Sequence, residues 1–216
     1  MKTEQKGITE EVIESGKHLK LVNIKWTNTE GKERKWEAAR RVMPGGKVNT
    51  GAFDHIVVIV PITDDTEFIF ISQFRATVGA VLAKGEETID GSKIQVIEFP
   101  AGVVEKYHDF EDIVHTAQSE LQEEAGYAAE AMVVINTGPI SAGMSFEYET
   151  AFAAFGLTEV PKKDGEEERG ISIYKVKNAE AMTWLRDMES RGCVVDAKVR
   201  GLMFLAQECL ESSRRR

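Results

Sequence analysis

The sequence predicts an α+β fold in which helices pack against a mixed β-sheet, preceded by an antiparallel β-ribbon arm. Three observations lead to this prediction. Short β-branched and aromatic runs follow one another after residue 54, one amphipathic helical pattern interrupts them, and two more helical patterns occur near the C-terminus. A hydrophobic content of 42% in 216 residues is sufficient for a sizeable core.

The arm is assigned to residues 1–50 and the main domain to residues 51–216. In the arm, the segments HLKLVNIKWTN and KWEAARRV flank the turn-like TEGKE, and they predict two antiparallel strands. An isolated ribbon of this kind is only marginally stable in water. We therefore expect the arm to pack on its own domain or on a second subunit.

The main domain opens with three strand candidates, HIVVIVPI, EFIFISQF and QVIEFPAG. The period then changes to that of a helix, and Gly126 follows where a C-terminal cap is expected. Further strands are predicted at AMVVINTG, TAFAAFGL and GISIYKV, and helices at AEAMTWLRDMES and DAKVRGLMFLAQECL. The apolar stripe of the first helix consists of Phe110, Ile113, Val114, Ala117 and Leu121.

Charge and composition exclude several classes of function. A net charge of -9 and a pI near 5.1 argue against sequence-independent nucleic-acid binding, which needs a basic face. The charged N-terminus predicts no signal peptide, and no apolar run reaches membrane-spanning length. Cys193 and Cys209 are interpreted as free thiols. We therefore expect a cytoplasmic protein that binds neither nucleic acid nor membrane.

The segment SELQEEAGY places three carboxylates, Glu120, Glu123 and Glu124, on neighbouring positions of the first helix. Each like-charge pair costs about 0.2 to 0.5 kcal/mol, and the helix dipole adds to the cost near the C-terminus. Glu124 lies at the edge of the apolar stripe. A solvated acidic face remains one interpretation, but a backbone carbonyl of Pro100-Ala101-Gly102 could join the carboxylates as hard oxygen ligands for Mg²⁺.

Together with Gly102, this segment resembles the Nudix box. The box reads glycine, five residues, Glu, seven residues, then Arg-Glu-aliphatic-any-Glu-Glu-any-Gly-aliphatic. Here the loop VVEKYHDF between Gly102 and Glu111 is three residues longer, and Ser119 replaces the arginine. Tyr127 fits the last, aliphatic position loosely.

The resemblance extends over nearly the whole chain, including the arm, SQFR, IEFPAG and VVDAKVRG, and it points to the ADP-ribose pyrophosphatase branch of the Nudix hydrolases. It implies the Nudix fold, an α+β structure in which a mixed sheet lies between helices as an α/β/α sandwich. It also implies that two subunits exchange their arms in a homodimer. The implied substrate is ADP-ribose or another nucleoside diphosphate sugar.

In that family the box carboxylates hold Mg²⁺ or Mn²⁺ against the substrate pyrophosphate. The implied metal ligands are Glu120, Glu123, Glu124 and the carbonyl of Ala101. The implied base is a glutamate of the loop EVPKKDGEEERG or of the box itself. Glu168 aligns best, with Glu166 and Glu167 as neighbours and Glu124 as the candidate within the box. A solvated charged loop is the alternative for any of the three loop residues.

The resemblance also implies contacts with the nucleotide. Trp36 stands where the family stacks adenine, and His18 occupies the second stacking position, where some relatives have Trp. Arg41 and Arg75 are the implied phosphate ligands, and Gly102 lies beside the substrate. Without the family, Trp36 reads as a packed ribbon residue, His18 as a surface residue and Arg75 as a strand-end salt bridge.

Three functional hypotheses follow. The first is metal-dependent hydrolysis of a nucleoside diphosphate sugar to a nucleoside monophosphate and a sugar phosphate, with Lys106 or Arg169 replacing the absent arginine. The second is a Nudix-fold nucleotide-binding protein with weak or no catalysis, because Ser119 cannot neutralise Glu123. The third is a scaffold whose acidic helix faces a partner protein.

The segment VGAVLAKGEETIDGSK after Arg75 is a candidate determinant of specificity.

Overall fold

A computed structural model describes residues 7–43, 52–83, 90, 93–162 and 170–214, with the side chains of 213 and 214 left out. It shows a mixed α+β fold, as the sequence predicts. Strands form three sheets, and helices cover both faces of the central ones. No helix in these ranges is long and apolar enough to span a membrane.

The arm forms a three-stranded antiparallel sheet in the order β1, β2, β3. These strands are β1 Ile8–Ser15, β2 Leu19–Thr27 and β3 Glu33–Arg41. The prediction of two strands therefore missed β1, whose sequence ITEEVIES is too rich in glutamate to be recognised as a strand by its apolar residues alone. Pairing with β2 provides the backbone hydrogen bonds that local sequence does not reveal.

Two four-stranded sheets make up the centre of the molecule, with the orders β7-β4-β9-β8 and β10-β5-β6-β11. In the first sheet β4 and β9 are parallel, whereas β7 and β8 pair antiparallel to their neighbours. The sheet is therefore mixed, as predicted. The first sheet consists of β7 Ala101–Val103, β4 Asp54–Pro61, β9 Glu147–Glu159 and β8 Tyr127–Pro139. The second consists of β10 Ser172–Lys177, β5 Glu67–Gln73, β6 Val96–Glu98 and β11 Val194–Val195.

The segment QVIEFPAG differs from its prediction as one strand. It divides into β6 and β7, which belong to different sheets. The break falls at Phe99 and Pro100, and proline interrupts a strand because it has no N–H to donate to the ladder. The carbonyl of Pro100 still accepts a hydrogen bond from the nitrogen of Ile59. The split turns the chain so that Ala101 and Gly102 form an edge strand.

Four α-helices complete the described fold, and three of them enclose the sheets from both sides. The helix α2 packs over a core cluster that includes Val57, Ile59 and Phe152, whereas α3 and α4 cover a second cluster around Phe68 and Phe70. This arrangement is the predicted α/β/α sandwich. The helices are α1 Ala76–Leu82, α2 Phe110–Glu120, α3 Asn178–Ser190 and α4 Val199–Arg214.

Candidate active site

The carboxylate segment forms the end of α2 and one π turn, Leu121–Ala125. The side chain of Asp109 caps the start of α2 by accepting hydrogen bonds from the nitrogens of Glu111 and Asp112. At the other end Gly126 has a φ of 74°, a left-handed conformation that glycine adopts without strain. The sequence predicts the cap correctly but not the π turn, a feature often found at functional sites.

The apolar stripe of α2 is buried as predicted at Ile113, Ala117 and Leu121. Val114 is partly buried against the same cluster, whereas Phe110 is 52% exposed and its ring only approaches that of Phe152. It lies at the first position of the helix, where the stripe has not yet reached the sheet. Glu124 is 8% exposed, which confirms its predicted place at the boundary of the core.

Glu124 makes a direct contact with the edge strand β7. Its Oε2 atom accepts a hydrogen bond of 2.8 Å from the backbone nitrogen of Ala101. This bond compensates part of the cost of burying the carboxylate. The contact is made through the N–H of Ala101, and the role of the Ala101 carbonyl as a metal ligand stays a prediction.

Glu120 occupies the space beside the next residue of β7. A Cβ atom added to Gly102 would overlap the carboxylate of Glu120, so only glycine allows this approach. Ala101 and Gly102 are neighbours in the chain, and their Cα atoms are therefore about 3.8 Å apart. The structure thus brings the carboxylates of Glu120 and Glu124 to adjacent positions on one edge strand. We call this group, formed by Glu120, Glu124, Ala101 and Gly102, the carboxylate cradle.

We expect Gly102→Ala to lower activity at least about tenfold while changing the melting temperature little. The new methyl group must displace the Glu120 carboxylate. Loss of the contacts that orient a metal ligand lowers metal affinity or activity by about 10- to 100-fold. The matched control is Gly138→Ala on β8, where an added Cβ would meet nothing within 4 Å. Steady-state kinetics and thermal melting of both variants check this prediction. Equal activity of G102A and G138A would show that the position of Glu120 is unimportant.

Glu123 lies between the two cradle carboxylates in sequence and is partly buried. Within the described ranges, no three His, Cys, Asp or Glu side chains form a group that could hold a metal ion. The donor chemistry nevertheless fits a hard divalent cation, since both cradle side chains are carboxylates and Gly102 leaves room for one of them.

Ser119, which stands in place of the arginine of the box, is partly buried on α2, and Lys106 is exposed on the lengthened loop.

Arg75 forms a close ion pair with Glu98, which lies three residues before Ala101. Its Nε and Nη2 atoms are 2.9 and 2.8 Å from Oε2 of Glu98, and Gln73 donates a third hydrogen bond to the same oxygen. The side chain of Arg75 is partly exposed and that of Glu98 is mostly buried. The strand-end salt bridge considered for Arg75 is therefore present, and a role at the phosphates would use the remaining donors of the guanidinium.

Sequence reasoning missed Glu98 as a site candidate. The available signal is a single glutamate in the otherwise apolar run VIEF. A charged residue in a buried strand needs a partner. Its proximity to Arg75 depends on the pairing of β5 with β6, in which Ile71 lies opposite Glu98, and local sequence does not reveal this pairing.

Trp36 and Arg41 connect the arm with β9 and with the loop that precedes it. The Trp36 side chain is 55% exposed, and its Nε1 atom donates a 2.8 Å hydrogen bond to the carbonyl of Gly143. The Nε atom of Arg41 is 2.6 Å from Oε1 of Glu147. The indole is thus held by its N–H group while more than half of the side chain stays exposed. Trp36 is not a packed ribbon residue.

His18 lies far from Trp36 within one chain. It precedes Leu19, which pairs with Arg41, whereas Trp36 pairs with Ile24. Six residues of β-strand separate His18 from Ile24, a span of about 20 Å. The structure leaves His18 exposed and does not bring the two predicted stacking residues together in a single subunit.

The candidate bases Glu166, Glu167 and Glu168, and also Arg169, lie outside the described residues. The chain leading to them is tied to the end of the π turn. The nitrogen of Val160 donates to the carbonyl of Gly126, and the Nε2 atom of Gln122 donates to the carbonyl of Pro161. The segment that precedes the candidate bases therefore starts beside the π turn that carries Glu123 and Glu124.

Comparison with known proteins finds relatives that cover most of the chain. The ADP-ribose pyrophosphatase of Bacillus subtilis is 31% identical over 196 residues, which covers 90% of this chain and 88% of that protein. An uncharacterized Nudix hydrolase of Schizosaccharomyces pombe is 26% identical over 191 residues, or 86% of this chain and 84% of the relative. No family model matches the chain.

A solved structure described as the crystal structure of ADP compounds hydrolase shares the fold. It has a TM-score of 0.68 and 19% sequence identity, and the match covers 100% of both chains. The match to the Bacillus subtilis protein is long enough to include the carboxylate segment. The chain belongs to the Nudix hydrolases, in their ADP-ribose pyrophosphatase branch.

Proposed function

We propose that the protein hydrolyses the pyrophosphate bond of ADP-ribose or a related nucleoside diphosphate sugar with the help of a divalent metal ion. The products are a nucleoside monophosphate and a sugar phosphate. The observation that carries this proposal is the carboxylate cradle, in which Glu120 and Glu124 adjoin Ala101 and Gly102. The similarity to the ADP-ribose pyrophosphatase of Bacillus subtilis supports the choice of substrate.

Glu120, Glu123 and Glu124 would hold Mg²⁺ or Mn²⁺, with the carbonyl of Ala101 as a further ligand. The metal, when bound, supplies positive charge for the pyrophosphate oxygens and lowers the pKa of a bound water. The hydrogen bond from Ala101 orients the Glu124 carboxylate before any substrate arrives. Such orientation matters because a misplaced ligand lowers both metal affinity and rate.

The chain's other residues would bind and orient the substrate. Arg75, held by Glu98, would present its remaining N–H groups to the phosphates. Arg41 would contribute a second cation, and Trp36 would stack on the adenine. Glu168, with Glu166 and Glu167 as neighbours, is our candidate for the base that takes a proton from the attacking water, and Glu124 is the alternative within the box.

The division into an arm of residues 1–50 and a hydrolase domain of residues 51–216, and the assembly into a homodimer, belong to the same proposal. Several large apolar side chains of the arm are more than 40% exposed, namely Ile8, Val12, Ile13 and Leu19. Exposed apolar surface of this kind is suited to contact with a second subunit. An exchange of arms could also bring His18 and Trp36, which lie apart in one chain, to the same substrate.

A second candidate function is nucleotide binding with weak or no catalysis. The observation in its favour is Ser119, whose short side chain cannot neutralise Glu123 as an arginine at that position would. Retention of three mutually repelling carboxylates favours the hydrolase. Their repulsion costs stability unless a cation offsets it.

The deciding experiment measures AMP release from ADP-ribose by the purified protein, with Mg²⁺ or Mn²⁺ and after removal of metal by a chelator. We expect release with either metal and its loss on chelation. The same assay with a panel of nucleoside diphosphate sugars and dinucleotides identifies the preferred substrate. Measurable AMP binding by calorimetry without any turnover would select the binding protein instead.

Trp36→Ala is expected to raise KM for adenine nucleotide sugars by roughly fivefold to a hundredfold with little change in kcat, because stacking of a base on an aromatic ring contributes about 1 to 3 kcal/mol. Trp36→Phe keeps a ring without the hydrogen bond to Gly143, so it should retain most of the affinity. Initial rates over a range of ADP-ribose concentrations check this prediction. An unchanged KM in W36A would remove Trp36 from the substrate site.

A further inference from the structure

The loop between β7 and α2 is fixed at both ends. At its start Val103 pairs with Ile56, and the nitrogen of Val104 donates to the carbonyl of His55. At its end, Asp109 caps α2, and His108 contacts the carboxylate of Asp112 through both its backbone nitrogen and its ring. The residues 105–107 between these anchors are exposed. They lie in the part of the box that exceeds the usual length.

Tyr107 provides an additional anchor in the middle of this loop. Its ring stacks on His55, with centroids 4.0 Å apart and an interplanar angle of 26°. Tyr148 contacts His55 edge-on, with a centroid distance of 6.0 Å, and Phe53 packs on Tyr148. Tyr107 remains 43% exposed, so its contact with His55 lies at the border of an aromatic cluster. An aromatic pair of this geometry contributes more than its buried area alone.

The stack lies close to the carboxylate cradle. His55 is two residues before Val57 on β4, and Val57 pairs with Gly102. Two residues of strand span about 7 Å, and both side chains point to the face covered by α2. The strand β7 lies at the edge of its sheet and has only three residues. Its position against Glu120 and Glu124 therefore depends on contacts at its two ends as well as on β4.

We propose that Tyr107 is a positioning residue for the metal site, and that its stack on His55 holds the lengthened loop so that β7 stays against Glu120 and Glu124. This inference rests on the proposed metal-dependent function. It assigns a role to a residue that the box pattern does not include. It also explains how the site accommodates three extra residues, because the added length is tied to β4.

The test measures binding of Mn²⁺ alone, from the signal of free Mn²⁺ in electron paramagnetic resonance, to the wild-type protein, Tyr107→Ala, Tyr107→Phe and Phe204→Ala. We expect Y107A to bind Mn²⁺ roughly three- to tenfold more weakly. Loss of the stack should favour, by about that factor, loop conformations that do not hold β7 against Glu120 and Glu124. Y107F keeps the ring and should bind as the wild type does. Phe204 is an exposed aromatic residue on α4, and F204A controls for loss of an aromatic ring elsewhere.

Equal Mn²⁺ affinity of Y107A and the wild type would overturn the inference and leave the proposed function intact. A Y107F variant as weak as Y107A would overturn it as well, because the hydroxyl rather than the stacked ring would then matter. Absence of Mn²⁺ binding by the wild type would contradict the metal-dependent function itself. Thermal melting identifies any variant that is not folded, and Tyr107→Leu, which keeps apolar bulk without a ring, then replaces Y107A with the same expected weakening.

Discussion

Glu124→Gln is expected to lower kcat/KM for ADP-ribose by roughly a hundredfold or more, the largest effect on activity predicted for a single substitution here. The substitution removes one negative charge from the carboxylate cradle. Metal stabilisation of developing charge contributes several kcal/mol, and each 1.4 kcal/mol corresponds to a factor of about ten in rate. Steady-state kinetics at several Mg²⁺ concentrations provide the measurement.

The substitution is selective because glutamine can still accept the hydrogen bond that the nitrogen of Ala101 donates to Oε2 of Glu124. The fold should therefore survive, and a thermal melt should show a change of only a few degrees. Glu208→Gln on α4 removes an exposed carboxylate far from the cradle and serves as the matched control. If E124Q retained the turnover of E208Q, Glu124 would be neither a metal ligand nor the base.

Arg40→Ala is expected to lower the free energy of unfolding by about 3 to 5 kcal/mol, the usual cost of breaking a buried ion pair. The side chains of Arg40 and Asp54 are 1% and 0% exposed, and Nη1 of Arg40 lies 3.2 Å from Oδ1 of Asp54. Arg40 also contacts Glu10 and the ring of Phe146. It therefore joins β1 of the arm to the start of β4, and its loss leaves Asp54 buried without this partner.

The destabilisation in R40A should depend on pH. Burial is the largest influence on Asp54 and raises the pKa of its carboxyl above the usual value, although Arg40 and the backbone of Arg41 lower it. When the pKa of a carboxyl group is higher in the folded protein than in the unfolded protein, the fold becomes less stable as the pH rises through these two pKa values. Removal of Arg40 strengthens this effect. The loss should therefore be larger at about pH 7 than at about pH 4, where Asp54 becomes protonated.

Urea unfolding at the two pH values measures this effect. Arg34→Ala on the same strand is the control, because Arg34 is exposed and exposed charges contribute little to stability. A destabilisation of R40A below about 1 kcal/mol, within the range of exposed ion pairs, would show that the arm does not depend on this buried pair.

The cradle itself was largely predictable from the sequence. The spacing of Glu120, Glu123 and Glu124 indicates one helix face, Gly126 indicates the end of the helix, and the strand ending in Pro100-Ala101-Gly102 suggests a neighbouring backbone. The structure adds the direct contact of Glu124 with Ala101 and the close approach of Glu120 to Gly102. Periodicity predicts which side chains share a face, but the partner strand that meets that face follows from tertiary packing.

Contacts between distant segments were not predictable in this way. Arg75 and Glu98 are 23 residues apart, and Arg40 and Asp54 are separated by a segment outside the described residues. Arg75 and Glu98 meet because β5 pairs with β6, whereas Arg40 and Asp54 lie on strands of two different sheets that the tertiary fold brings together. The strand β1 of the arm was missed for a related reason. Its sequence ITEEVIES forms a strand because it pairs with β2, and not because of its own apolar pattern.

Three properties follow from the amino-acid sequence alone: the fold class, the carboxylate helix and the membership in the Nudix hydrolases. The first two depend on local periodicity, and the third depends on similarity along the chain. Three others are visible only in the folded protein: the side chain of Trp36 is 55% exposed, His18 lies about 20 Å from it, and Tyr107 stacks on His55. These features depend on strand register and on loop path. A shift of one residue in the register of a strand would move all its side chains to the opposite face of the sheet. Local sequence does not specify the register.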